Sequence, residues 1–119
     1  MIDSKVIEAF QLMWGNLPEP ALLIHKSRKI VAVNAVSEKL GRVEGTTCAS
    51  YGGPENHKGC KANQVLANHQ PAFLKKKHGE KEIIAYWLPL DGYPDFYVHF
   101  NIGVMIDYDA IPENVTIVK

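Results

Sequence analysis

The run Phe96-Tyr97-Val98-His99-Phe100-Asn101-Ile102-Gly103-Val104-Met105-Ile106 decides the fold. Phe96, Val98, Phe100, Ile102, Val104 and Ile106 fall on one side of an extended chain, and Tyr97, His99, Asn101, Gly103 and Met105 on the other. A period of two with one wholly apolar face predicts a strand in the middle of a sheet. Two further extended runs precede it, over residues 72–77 and 82–90, with His78-Gly79 and Asp91-Gly92 as turn residues between the runs. Together the three predict an antiparallel meander. A two-residue turn at His78-Gly79 sets Lys77 against Glu80, Lys75 against Glu82 and Phe73 against Ile84, pairing opposite charges across the hairpin.

Upstream, residues 21–25 and 29–33 are short runs rich in branched residues, separated by Lys26-Ser27-Arg28, and read as a hairpin. Asn34 is placed as the N-cap of a short helix over residues 35–40, which Gly41 closes. Residues 42–59 are rich in glycine and small polar residues and read as loop, long enough to suggest a functional role. Residues 60–69 read as a helix stopped by Pro71. Before the first strand, Ile2, Val6, Ile7, Phe10, Met13 and Trp14 recur at helical spacing opposite Asp3, Lys5, Glu8 and Gln11. This order predicts an α+β fold: a five-stranded antiparallel sheet with helices packed on one face and an N-terminal amphipathic helix. The expected organisation is that helix over 1–16, the domain proper over 17–108 and a tail over 109–119.

The 119 residues balance 13 Lys+Arg against 13 Asp+Glu. Without a basic surplus, no nucleic-acid partner is expected. With 46% hydrophobic and 22% charged residues, the composition is that of one globular domain. The longest apolar stretch, residues 83–90, includes a proline and falls well short of the roughly 18 residues a membrane helix requires, so no membrane partner is expected. Asp3 and Glu8 stand where a signal peptide has its basic start and apolar core, which makes the cytoplasm the expected compartment. Cys48 and Cys60 are too few for a disulfide scaffold. The sequence lacks a nucleophile elbow, a phosphate-cradling lysine loop, a zinc-protease histidine pair and a dinucleotide fingerprint. No catalytic residue is assigned, and the chain is not read as an enzyme.

Leu17-Pro18-Glu19-Pro20-Ala21-Leu22-Leu23-Ile24 followed by Lys29-Ile30-Val31-Ala32-Val33-Asn34 resembles the opening hairpin of the PAS sensor family, including the asparagine after the second strand. Leu40-Gly41 with Gly45-Thr46-Thr47-Cys48 resembles that family's glycine-bounded helix and the start of its next segment, and Ile106-Asp107 the end of its last strand. The resemblance covers residues 10–108 and implies a sensory domain that binds a small molecule or cofactor between sheet and helices. It further implies relay through a homodimer or a signalling protein partner. On that reading Val65, Leu66, His69, Ile83, Trp87 and Phe100 line the pocket. Haem-binding members use a histidine of the longer helix, and His69, at the end of that helix, is the nearest candidate.

Two other readings compete with the ligand pocket. Cys48, His57 and Cys60 form a cluster in which His57 and Cys60, three apart at a loop-to-helix junction, can reach one metal. Zinc or iron suits such donors, and a closed zinc site takes a fourth ligand from His69 or Glu55. Cys60, at a helix start between Lys58 and Lys61, also fits a redox-responsive thiolate. The third reading is a ligand-free interaction module. The N-terminal stripe of Val6, Phe10, Met13 and Trp14 has two uses open to it: to cover the chain's own sheet, or to form a dimer interface.

Overall fold

The computed structural model describes residues 4–47 and 59–113. A helix, α1 (Ser4–Trp14), leads into strands β1 (Ala21–His25) and β2 (Ile30–Val33), short helices α2 (Ala35–Lys39) and α3 (Ala62–Asn68), and strands β3 (Ala72–His78), β4 (Lys81–Pro89) and β5 (Phe96–Ile102). The strands form one antiparallel sheet in the order β2-β1-β5-β4-β3, which puts β5 at its centre. This is the α+β architecture that the sequence predicts.

Each face of the sheet carries its own core. On one face Leu22, Ile24, Ile30, Val33, Ala85, Trp87 and Tyr97 pack with Ala62 and Val65 of α3. On the other, Leu23, Val31, Phe96, Val98 and Phe100 pack with Val6 and Phe10 of α1. Covering both faces explains why β1 and β2 are almost continuously apolar, whereas uncovered strands alternate. Full burial of Leu23, Ile24 and Ile30 contributes about 1.5–3 kcal/mol each. At the end of α1, Gly15 donates to the Gln11 carbonyl at 3.0 Å, and a Cβ there would stand 2.5 Å from that oxygen. Only glycine closes the helix this tightly.

Asn34 joins the helices to the sheet. It is fully buried, and its Oδ1 accepts from the Ser37 amide at 3.0 Å, capping α2, and from the Ala21 amide at 3.1 Å. Its Nδ2 donates to the carbonyls of Glu19 at 2.7 Å and Leu17 at 3.2 Å, which fixes the connector between α1 and β1.

The structure corrects two expectations. The β3–β4 register pairs Phe73 with Tyr86, Lys75 with Ile84 and Lys77 with Glu82. The turn is Gly79-Glu80, where Gly79 supplies the positive φ of +68°, and the register is shifted by two residues from a turn at His78-Gly79. A shift of two keeps every side chain on its face. Lys75 and Glu82 consequently still form an ion pair, at 3.5 Å, as diagonal neighbours. The second correction is the end of β5, at Ile102 instead of residue 106. Gly103 takes φ +99°, and the amides of Gly103 and Met105 go to the Glu19 carboxylate, each at 2.7 Å. A side chain replaces the ladder there, which hydrophobic alternation does not signal.

Candidate functional site

Cross-strand register aligns Leu22, His99, Trp87 and Ala72 in one row over the α3-facing side of the sheet. Asn101, two residues along β5 from His99, lies on the same side opposite Ala85. The His99 ring stacks on Trp87, with centroids 4.7 Å apart and planes 17° from parallel. His99 Nδ1 lies 2.9 Å from the Tyr86 carbonyl. A carbonyl only accepts, so Nδ1 holds the proton and donates, which in the neutral ring makes Nε2 the acceptor nitrogen. His99 and Asn101 are half-buried in an otherwise apolar row. An imidazole and a carboxamide thus set hydrogen-bonding groups beside a buried indole on this side of the sheet.

Of the residues expected to line a pocket, Val65 and Trp87 come together in the buried cluster on this side, with Leu66 packed against it. Ile83 is half-buried. Phe100 belongs to the opposite face, where it stacks on Tyr86 and meets Trp14. The period-two reading groups Phe100 correctly with Phe96 and Val98, and only its expected place in the pocket is overturned. The apolar face of β5 looks toward α1, and its mixed face toward α3. His69 is exposed and forms the C-cap of α3 with φ +55°, its amide donating to the Val65 carbonyl. It does not join Val65 and Trp87 in the way a haem ligand must.

Cys48 and His57 lie outside the described residues, and Cys60 is exposed. Among the described residues no three His, Cys, Asp or Glu side chains cluster closely enough to hold a metal ion. His99 stands on the mixed face of its strand and is hydrogen-bonded, as its place in the alternation suggests; sequence reading missed the anchoring residues Glu19 and Arg28. Arg28 takes φ +76°, hydrogen-bonds Asn63 Oδ1 and lies 5.8 Å over the Tyr97 ring, which ties the first hairpin to α3. The spacing of charged residues gives no hint of these contacts.

On the α1 side, aromatic rings form a ladder across the sheet. Trp14 meets Phe100 at 4.9 Å, Phe100 stacks on Tyr86 at 4.7 Å and Tyr86 meets Phe73 at 5.9 Å. Val6 and Phe10 are buried against the chain's own sheet, each at 3% exposure. The apolar surface left to solvent here is Leu12 (84% exposed), Met13 (74%) and Phe73 (64%). A separate groove of about 600 Å³ lies between the end of α1 and α2, lined by Gln11, Asn16, Glu38, Arg42 and Glu44 among others. No described helix is long and apolar enough to cross a membrane.

No protein-family description matches the chain, and no curated protein matches it in sequence. Solved structures do. The chain resembles the PAS domain of BvgS from Bordetella pertussis, with a TM-score of 0.67 and 17% identity over 90% of this chain and 91% of that one. It resembles a sensory box sensor histidine kinase from Vibrio cholerae, with a TM-score of 0.58 and 16% identity over 87% of this chain and 95% of that one. It also resembles phage VqmA in complex with DPO, with a TM-score of 0.63 and 17% identity over 86% of this chain and 54% of that one. At these identities the likeness is one of fold: the chain has the PAS fold.

Proposed function

From the PAS fold and the chemistry of its two sheet faces, we propose that this chain is a cytoplasmic sensory domain. It binds a small polar molecule on the α3 side of the sheet and relays occupancy through a homodimer or a signalling partner. The observation that carries the reading is the His99–Trp87 stack with Asn101 beside it: a polar, hydrogen-bonding group set into an apolar row next to a helix. A core needing only stability would place an apolar side chain there, since polar groups incur desolvation. The structure of phage VqmA supports the reading, as a similar fold seen in a complex with DPO. The exposed Leu12, Met13 and Phe73 supply an apolar surface for the relay contact, next to Trp14 and the aromatic ladder. Output then follows from the ligand's differential affinity for the free and associated states.

The test uses tryptophan emission. Trp14 and Trp87 are the two tryptophans, so Trp14→Phe leaves Trp87, under His99, as the single reporter. A metabolite library is screened by Trp87 emission and by thermal shift. The expected result is a compound class that moves both, with the response lost in His99→Ala at unchanged fold. If no compound moves either signal, or if His99→Ala responds as the parent does, the reading fails.

A further inference from the structure

Glu19 is a carboxylate with no exposure to solvent, an environment that ionisable side chains occupy only when they are fully bonded. Its bonds reach residues 84 and 86 positions along the chain. Oε2 accepts from the Gly103 amide and Oε1 from the Met105 amide, both at 2.7 Å, the length of charge-assisted hydrogen bonds. Both donors belong to the segment that leaves the sheet after β5. Glu19's own carbonyl accepts from Asn34 Nδ2 at 2.7 Å, and Asn34 also holds the Leu17 carbonyl of the connector from α1. One residue thus ties the segment entering the sheet to the segment leaving it.

We propose that the Glu19 side chain is a latch: it fixes residues 103–110 against the entering connector, and its release frees the exit segment while the sheet stays folded. Three observations support a local device. The sheet's own ladder stops at Ile102, so the exit segment depends on groups other than β-pairing. Gly103 turns the backbone away at φ +99°, close against Glu82 and Ile83. Beyond the two latched amides, the segment's further hydrogen-bonded ties among the described residues lie near the surface: Lys81 Nζ donates to the Val104 carbonyl, and Tyr108, 44% exposed, begins a short 3-10 turn over Tyr108–Ala110. Among the described residues, the Tyr108 phenol is a titratable group that hydrogen-bonds Glu19. It titrates above its ordinary range through desolvation and through its hydrogen bond to, and the charge of, that carboxylate. The latch is independent of any ligand reading, because it involves neither His99 nor Trp87.

Hydrogen exchange of the full chain tests it. In Glu19→Gln one accepting oxygen becomes an amide NH₂, which cannot accept from a backbone N–H. The expected result is at least tenfold faster exchange at Gly103 and Met105, with the amides of Leu23 and Val98 unchanged. Glu19→Asp, too short to span both donors, gives the same pattern at smaller amplitude. In Glu19→Gln the Tyr108 phenol also titrates closer to the ordinary range, followed by the tyrosine difference spectrum against Tyr108→Phe. Unchanged exchange at Gly103 and Met105 overturns the proposal. So does an equal acceleration at Leu23 and Val98, or loss of the folded state in both variants, either of which makes Glu19 a core residue instead of a latch.

Discussion

Asn34→Ala is the most informative stability test of this fold. The substitution removes a side chain with no solvent exposure and strands four close partners, the amides of Ala21 and Ser37 and the carbonyls of Glu19 and Leu17, along with a longer contact to the Trp14 carbonyl at 3.4 Å. Leaving a buried polar group unpaired costs about 1–3 kcal/mol. Loss of the N-cap bond of α2 costs about 1 kcal/mol and is already counted in the Ser37 amide. Taking about 1 kcal/mol for each of the four stranded groups, the lower end of that range, gives about 4 kcal/mol. A domain of this size has about 5–15 kcal/mol in total, so the variant keeps a folded state with little margin. Urea unfolding followed by circular dichroism reads this directly. With a slope of about 2 kcal/mol per molar, the midpoint falls by about 2 M. Ser37→Ala is the internal control: it removes one buried bond, from Ser37 Oγ to the Ala21 carbonyl, and costs about 1 kcal/mol. If Asn34→Ala costs no more than Ser37→Ala at an unchanged slope, then Asn34 does not anchor the connector and the account of how α1 is held is wrong.

Gly103→Ala places a side chain at φ +99° with its Cβ 3.0 Å from the Glu82 carbonyl, and is expected to lose about 1–3 kcal/mol in the same assay. Tyr108 tests the alkaline limb. Its phenol is held above the usual range in the folded state, so the folded state binds that proton more tightly than the unfolded one. The resulting stability is present below pH of about 10 and is lost as pH rises through the folded value. Tyr108→Phe should therefore flatten the fall in stability above pH of about 10, and unchanged pH curves would rule out the contact. Lys75→Ala removes a surface ion pair whose partners are both at least half exposed, and should change stability by less than about 1 kcal/mol. Met13→Glu puts a charge on an exposed apolar residue of α1 and should shift sedimentation toward monomer, with only the small melting loss that loss of association brings. A melting loss comparable to that of Phe10→Ala would place Met13 in the chain's own core.

Strand identity was legible because β5, β1 and β2 carry their burial in their residue types, and the short helix after Asn34 because its cap and its closing glycine are adjacent in sequence. What stayed illegible depends on partners distant in the chain. Phe100 and Trp87 both read as apolar strand residues, and nothing local says that α1 covers one and α3 the other. The register of β3 against β4 turned on whether Gly79 is the first or second turn residue, a choice the positive φ makes and the letters do not. Glu19, between two prolines, looks like a polar loop residue. Its role appears only when residues 103 and 105 are brought to it across more than eighty positions.

β5 draws these features together. Along seven residues it presents Tyr97 and His99 to the α3 side and Phe96, Val98 and Phe100 to the α1 side, and it then delivers the chain to Gly103 at the latch. In the function proposed above, a molecule that displaces the His99 ring from Trp87 acts on the residue adjacent to Phe100, whose ring is stacked between Trp14 and Tyr86. One rigid strand then suffices to connect a binding face with an association face, because neighbouring residues of a strand point to opposite sides. The size of such coupling is bounded. Couplings of about 1–3 kcal/mol are typical, which here means a change of about 5–150-fold in the dimer dissociation constant between ligand-free and saturated protein. Phe100→Leu keeps the outer face apolar but removes the stack. It should leave the ligand's affinity for isolated monomers intact while shrinking that ratio toward one. An undiminished ratio in Phe100→Leu would show that the relay runs outside this strand.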